Sequence, residues 1–305
     1  MRVLGKAGTG KSWLVNALPH MLGSRIRRAA PTGMAAFLVG GSTLYSLLKL
    51  PMRANRPLQG ESLKKLQVSP GGVEYLIIDE LSKVSQVQFA WVDRILCQTT
   101  GKTEEALGGI SVITTGDPGP LPPFGGRALH TAQPKDQLSQ EGYNAYRSFR
   151  KVIILDKVQR QTATKAFLNL LPRARNGLLT EDDWRLLATP VPHTRQRFND
   201  DTRLFYSKAE VKVYNGNKLR AVGIAVLKVE ANHSSAAAQN ATSDAAQGLQ
   251  RELFLAQDAR VMLTCNLWSE MGLINGIQGK VVDLVWAPGG KTPALPEFVV
   301  VRFHE

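Results

Sequence analysis

Cysteine is almost missing from this chain: Cys97 and Cys265 are the only two in 305 residues. That excludes a disulfide framework or a cysteine-rich zinc site and points to a reducing compartment. The histidines His20, His130, His193, His233 and His304 are scattered without metal-ligand spacing, so they are expected to be ordinary polar residues. No run approaches the roughly 18 consecutive apolar residues of a membrane span. Nor does an apolar stretch build up ahead of Gly5, Gly8 and Gly10, so no secretory signal is expected. The most telling absence is of acid. Residues 1–60 contain no Asp or Glu, and Glu61 is the first; the same stretch holds nine basic residues.

What is present suits a folded protein of about two domains, with 43% hydrophobic and 21% charged residues. Lys and Arg number 38 against 25 Asp and Glu, a formal charge of +13. A second basic stretch runs from Arg147 to Arg175, opposed only by Asp156. Patches of this kind favour nucleic acid or phosphate groups, with a merely solvated basic face as the alternative.

Residues 1–150 read as alternating strands and helices, the pattern of a doubly wound α/β sheet. Tyr75–Ile78 and Ile110–Ile113 have the length of buried parallel strands, and Gln86–Gln98 is helix-like with Val87, Trp91, Ile95 and Leu96 near one face. Leu50–Ser69 is polar and basic, an insertion at the sheet edge. Val152–Leu155 is read as the first strand of a second domain spanning 151–258. Within it Asn232–Gly248, rich in Ser, Ala and Asn, is read as a loop. Ala259–Leu263 and Pro296–Phe303 are read as strands of a small β module over 259–305.

Gly5-Lys6-Ala7-Gly8-Thr9-Gly10-Lys11-Ser12 matches G-x-x-x-x-G-K-[ST] at every fixed position. Glycines there let successive N–H groups turn inward around an anion, and a following helix, expected over Lys11–Leu18 with Pro19 cutting or kinking it, aims its positive end at the phosphates. Lys11 is expected to neutralise the β- and γ-phosphates of ATP and Ser12 to bind Mg²⁺. Leu76-Ile-Ile-Asp79-Glu80 supplies an apolar strand ending in two carboxylates. Asp79 suits Mg²⁺, and Glu80 suits the general base that polarises the attacking water. Loop and acid pair together indicate ATP hydrolysis.

Further residues narrow the class: Ala30–Ala36, Gly40–Leu48, Gly116-Asp117, Leu121-Pro-Pro123, Leu155–Gln161, and Asn266–Trp268 with Gly272–Gly279. In this order they resemble the Pif-type (petite integration frequency) DNA helicases, relatives of RecD within helicase superfamily one. The resemblance implies tandem RecA-like domains, the second incomplete, with the small β module SH3-like. It implies that Asp117 belongs to the ATP site with residues 5–12, and that Arg160 is an arginine finger reaching the γ-phosphate. It further implies that Thr32, Gly33, Thr43 and Tyr45, with Asn275, Gly276 and Lys280, contact single-stranded DNA. Tyr45 stands where the family usually has His; stacking on a base and simple burial are both open to it. The implied activity is ATP-dependent 5′-to-3′ translocation and unwinding, in DNA repair, recombination and telomere maintenance, by a monomer in an intracellular setting, nuclear in a eukaryote.

The chain also departs from the family pattern. It begins almost on the phosphate loop and stops inside the small β module, which implies truncation at both ends. Pro120 replaces a Gln of the sensor stretch, and Leu81-Ser-Lys83 follows the acid pair in place of the family's usual residues. A non-catalytic remnant that binds nucleotide and DNA is therefore the alternative expectation.

Overall fold

A computed structural model describes residues 1–50, 73–119, 121–159, 165–188, 202–242, 246, 249–289 and 295–303. Most of the insertion expected over Leu50–Ser69 lies outside these residues, as do Pro120 and Arg160. The chain forms two compact units, Met1–Leu187 and Ala188–Glu305.

The first unit is built on a six-stranded parallel sheet: β1 (Arg2–Gly5), β2 (Ile26–Ala30), β3 (Ser42–Thr43), β4 (Tyr75–Ile78), β5 (Ser111–Gly116) and β6 (Val152–Leu155). Their order across the sheet is β3-β2-β4-β5-β1-β6. The central strand β4 is a short apolar run because both of its faces are covered. On β4, Leu76 and Ile78 enter one core while Ile77 enters another on the opposite face. The first core joins them to Leu44, Phe89, Val92, Ile95 and Ala145, contributed by the helices that follow β3, β4 and β5, and to Phe149 just past the last of these. The second is closed by Val15, Leu14, Leu18 and Leu22 of α1 (Lys11–Leu22).

Helix α1 runs four residues beyond the expected end. Pro19 removes one amide donor, but the turn continues and closes where Gly23, at φ 61°, donates its N–H to the Pro19 carbonyl. The helix Gln86–Thr100 starts in a capping box, with Ser85 and Gln88 satisfying each other's free amides, and ends at Gly101 with φ 74°. Its buried face centres on Phe89, Val92 and Ile95, all fully buried. The helix Gln137–Arg147 packs against it at Gly142, where a Cβ would intrude on the Gln86 carbonyl, and an Arg94–Glu141 fork at 2.7 and 2.9 Å ties the pair at its edge.

Val152–Leu155 does not open a new sheet. It pairs in parallel with β1, Arg2 opposite Val152 and Gly5 opposite Leu155, as the edge of the first sheet. The compact unit then continues through the helices Lys165–Arg175 and Glu181–Ala188, so its boundary lies near Leu187 rather than at 150. An apolar run of four residues has no mark of which sheet it will join; here the free edge of β1 takes it. The two helices are clamped by Arg173 on Asp183 at 2.7 and 2.6 Å.

Described residues of the second unit include the helix Lys208–Ala221, an antiparallel pair of Leu227–Glu230 with Glu252–Leu255, and a three-stranded antiparallel sheet of Arg260–Met262, Gln278–Val285 and Phe298–Phe303. Part of the expected Asn232–Gly248 loop is a short helix, Ala236–Asn240, started by the Ser235 hydroxyl accepting the Ala238 amide. The two strands expected after residue 258 are both found, each within the predicted bounds.

Phe89 sits where the helix face meets the core, so Phe89→Ala should cost about 3–5 kcal/mol of unfolding free energy, read by denaturant titration. A loss below about 1 kcal/mol would show that the packing described around this ring is wrong.

Candidate nucleotide-binding site

Strand register builds the site. Leu4 of β1 lies opposite Gly116 of β5, and Thr114 of β5 lies opposite Ile78 of β4. The residues that follow each strand therefore emerge together at the carboxyl edge of the sheet: the loop from Gly5, the pair Asp79-Glu80, and Asp117. Ligands of open parallel sheets bind in this crevice, beside a strand from which the chain departs in both directions.

The loop from Gly5 to Lys11 has the shape its glycines suggested. Gly8 and Gly10 take φ of 79° and 91°, the left-handed region open to glycine. Gly5 is buried against Thr9 and the Leu155 backbone, and Thr9 closes the turn by donating to the Lys6 carbonyl at 2.9 Å. Gly10 caps α1 without a side chain and its first turn contains no acid, so neither a capping side chain nor a carboxylate of that turn covers the positive end of the helix. Lys11 Nζ donates to the carbonyls of Gly5 and Lys6 at 2.8 and 2.9 Å. Its ammonium thus lies over the loop itself, with Ser12 exposed beside it. Beyond β6, the Gln159 amide donates to the Gly8 carbonyl at 2.7 Å and brings that segment onto the loop.

Of the acid pair, Asp79 is buried and accepts a hydrogen bond from the Thr115 hydroxyl, while its amide donates to Ala29 at 2.9 Å. Glu80 is half-buried at φ 54°, a conformation that costs a non-glycine residue on the order of 1 kcal/mol. Asp117 is gripped by Arg175, whose two terminal nitrogens donate to both carboxylate oxygens at 2.6 and 2.5 Å. Burial pushes the Asp117 carboxyl up, but the Arg175 hydrogen bonds, the Gly119 amide and the charges of Arg175 and Lys11 together hold it below its ordinary range. A small cavity lined by Leu4, Ser82, Gly116, Asp117, His130 and Tyr146 adjoins this pair.

Oxygen donors suit a hard cation here. Asp79 and Ser12 offer one carboxylate and one hydroxyl, and no cluster of three His, Cys, Asp or Glu side chains exists among the described residues. Mg²⁺ is held in that manner, through one or two protein oxygens with water and phosphate completing its shell.

The residues expected to contact nucleic acid divide between the two units. Thr32 stands just beyond the carboxyl end of β2 and Thr43 is the last residue of β3, and each hydroxyl accepts an amide as a helix cap, from Ala35 at 3.4 Å and Ser46 at 3.1 Å. Each keeps its own proton to donate. Gly33 is the first helical residue after Thr32. Tyr45 is half-buried against the larger core and its hydroxyl accepts from Gln88 Nε2 at 2.7 Å, so packing holds part of the ring. In the second unit, the Asn275 amide donates to Asn266 Oδ1 at 2.9 Å, Gly276 turns the chain at φ 97°, and Lys280 pairs with Asp258 at 2.7 Å.

A family model described as "PIF1-like helicase" matches residues 1–184, which contain this whole crevice. The chain belongs to the PIF1-like helicase family. It is similar to the ATP-dependent DNA helicase PIF1 of Danio rerio, 34% identical over 94% of this chain and 44% of that one. The Xenopus laevis protein of the same name is 31% identical over 98% of this chain and 46% of its own length. The chain thus spans about half the length of these curated relatives. Among solved structures, the Pif1 helicase from Bacteroides in complex with ADP-AlF3 and ssDNA is 27% identical, with a TM-score of 0.65 over 99% of this chain and 68% of that one.

Two site residues in this PIF1-like chain escaped sequence reading. Thr115 has no motif of its own; only the β4–β5 register brings it to Asp79. Arg175 was visible only as one charge in a basic stretch, 58 residues from the carboxylate it grips. Thr115→Val should leave the buried Asp79 acceptor unsatisfied and lower unfolding free energy by about 1–3 kcal/mol, measured by chemical denaturation. An unchanged midpoint and slope would mean that Asp79 does not depend on this hydroxyl.

Proposed function

We propose that the chain is an ATP-hydrolysing motor of the PIF1 type that moves on single-stranded DNA and unwinds duplexes, in the 5′-to-3′ direction. The observation that carries this reading is the shared crevice: a phosphate loop with its lysine, a buried carboxylate and a half-buried one meet at one sheet edge. Relatives named ATP-dependent DNA helicases, and a 27% identical neighbour bound to ADP-AlF3 and ssDNA, support the nucleotide and the strand as its ligands.

In the proposed mechanism the loop amides and the start of α1 receive the phosphates of ATP, and Lys11 exchanges its loop carbonyls for phosphate oxygens. Mg²⁺, where bound by Ser12 and Asp79, would offset phosphate charge. Glu80 orients a water and takes its proton as the γ-phosphate is attacked in line. Arg160 is assigned the finger role by resemblance, since it lies outside the described residues; its neighbour Gln159 bonds to Gly8. Thr32, Gly33, Thr43 and Tyr45, with Asn275, Gly276 and Lys280, are proposed to hold the strand chiefly by its phosphates, so binding should weaken steeply with salt. Roles in repair, recombination and telomere maintenance, and a monomeric, intracellular, nuclear setting, follow the family resemblance.

Purified full-length chain should release phosphate from ATP faster when single-stranded DNA is added, and faster than with a matched RNA. Glu80→Gln should lower kcat by about 10²–10⁴-fold while ATP binding persists; Lys11→Ala should lose ATP binding itself. If a folded sample shows ATP binding but no DNA-stimulated release, the motor reading fails, and a non-catalytic nucleotide- and DNA-binding protein takes its place.

A further inference from the structure

Arg175 is a residue to which neither a motif nor the mechanism above gives a task. It ends the helix Lys165–Arg175, in a segment following the last strand of the sheet, yet its guanidinium reaches Asp117, the residue just past β5. The contact is built rather than incidental. Both oxygens of Asp117 are engaged by two parallel N–H donors, and Oδ1 takes a further bond from the Gly119 amide at 3.1 Å. Gly119 makes the approach possible, because a Cβ there would collide with the guanidinium. Both side chains are substantially covered, with 29% of Arg175 and 12% of Asp117 exposed, so the pair is less screened than a surface bridge.

Position decides what such a pair does. Asp117 follows Gly116, which lies opposite Leu4, one residue before the loop begins. A carboxylate there feels the charge of Lys11 and stands at the sheet edge from which the phosphate loop starts. Left alone, it would do two unfavourable things. It would attract the Lys11 ammonium away from phosphate, and it would repel the phosphates directly.

We propose that Arg175 is a positioning residue of the phosphate cradle, cancelling the charge of Asp117 and occupying both its oxygens so that Lys11 stays available for phosphate. The inference rests on reading the loop as a nucleotide site. It adds that nucleotide affinity depends on a helix outside the loop, and that any movement of Lys165–Arg175 changes the charge that a nucleotide meets.

Binding of a fluorescent, non-hydrolysable ATP analogue tests this without requiring turnover. Arg175→Ala should weaken binding by about tenfold or more, the effect of one uncompensated charge close to the site. Arg175→Lys, which keeps charge but loses the fork, should fall between wild type and Arg175→Ala. The decisive variant is Arg175→Ala with Asp117→Asn: removing the stranded charge should make it bind more tightly than Arg175→Ala alone. A role limited to holding the helix predicts no such recovery. Circular dichroism and melting curves confirm that each variant is folded; if Arg175→Ala is not, Arg175→Gln with and without Asp117→Asn gives the same comparison. Equal affinity of wild type and the folded single variant, or a double variant no better than the single, overturns this inference alone. If wild type binds no analogue, the nucleotide reading falls and this inference with it.

Discussion

The parallel pairing of β1, β5 and β4 is the constraint on which the rest of the first unit depends. Each strand carries one chemical group just past its carboxyl end, and none of these groups can reach another through sequence. Pairing Leu4 with Gly116 and Thr114 with Ile78 brings the phosphate loop, Asp117 and Asp79 to one edge. A slip of one residue between β4 and β5 would also turn every core side chain of one strand to the wrong face. Leu76 and Ile77, committed to opposite cores, hold that register. Hydrophobic packing and site geometry are thus the same fact seen from two sides.

Charge at this edge is managed in pairs. Lys11 rests on loop carbonyls, Asp79 on the Thr115 hydroxyl, and Asp117 on the Arg175 fork. Each group is satisfied in a way that a competing ligand can displace or that a neighbour must maintain. Glu80 differs, being held in a left-handed conformation directly after a buried strand, where backbone strain aims a side chain. The same economy of groups extends to Thr32 and Thr43, whose hydroxyls cap helices with their lone pairs and retain a proton for an anion.

Much of the first unit was legible beforehand. The phosphate loop, the acid pair and the alternation of strand and helix announce themselves through local spacing, because glycine torsions and apolar runs are local properties. The structure changed the reading where the competing influence was distant. Val152–Leu155 looks like any buried strand, and only the open edge of β1 decides that it completes the first sheet. Pro19 marks a helix end by local rule, yet α1 continues because Leu18 and Leu22 are packed against the sheet face. Tyr45 had two readings, base stacking or burial, and its contacts with Gln88 and the larger core show that part of the ring is already engaged.

By itself, the sequence determined the chemistry that this edge can support: a lysine in a glycine-rich turn, two consecutive carboxylates after an apolar strand, and a basic, acid-free opening stretch. Those depend on residue type and short spacing. Only the tertiary structure decided which distant residues hold the groups of this edge in place. Thr115 meets Asp79, Arg175 meets Asp117 and Gln159 meets Gly8 across 36, 58 and 151 residues of chain. A hydrogen bond is read from geometry within about 3 Å, and that distance is set by strand order and packing rather than by any pattern along the chain.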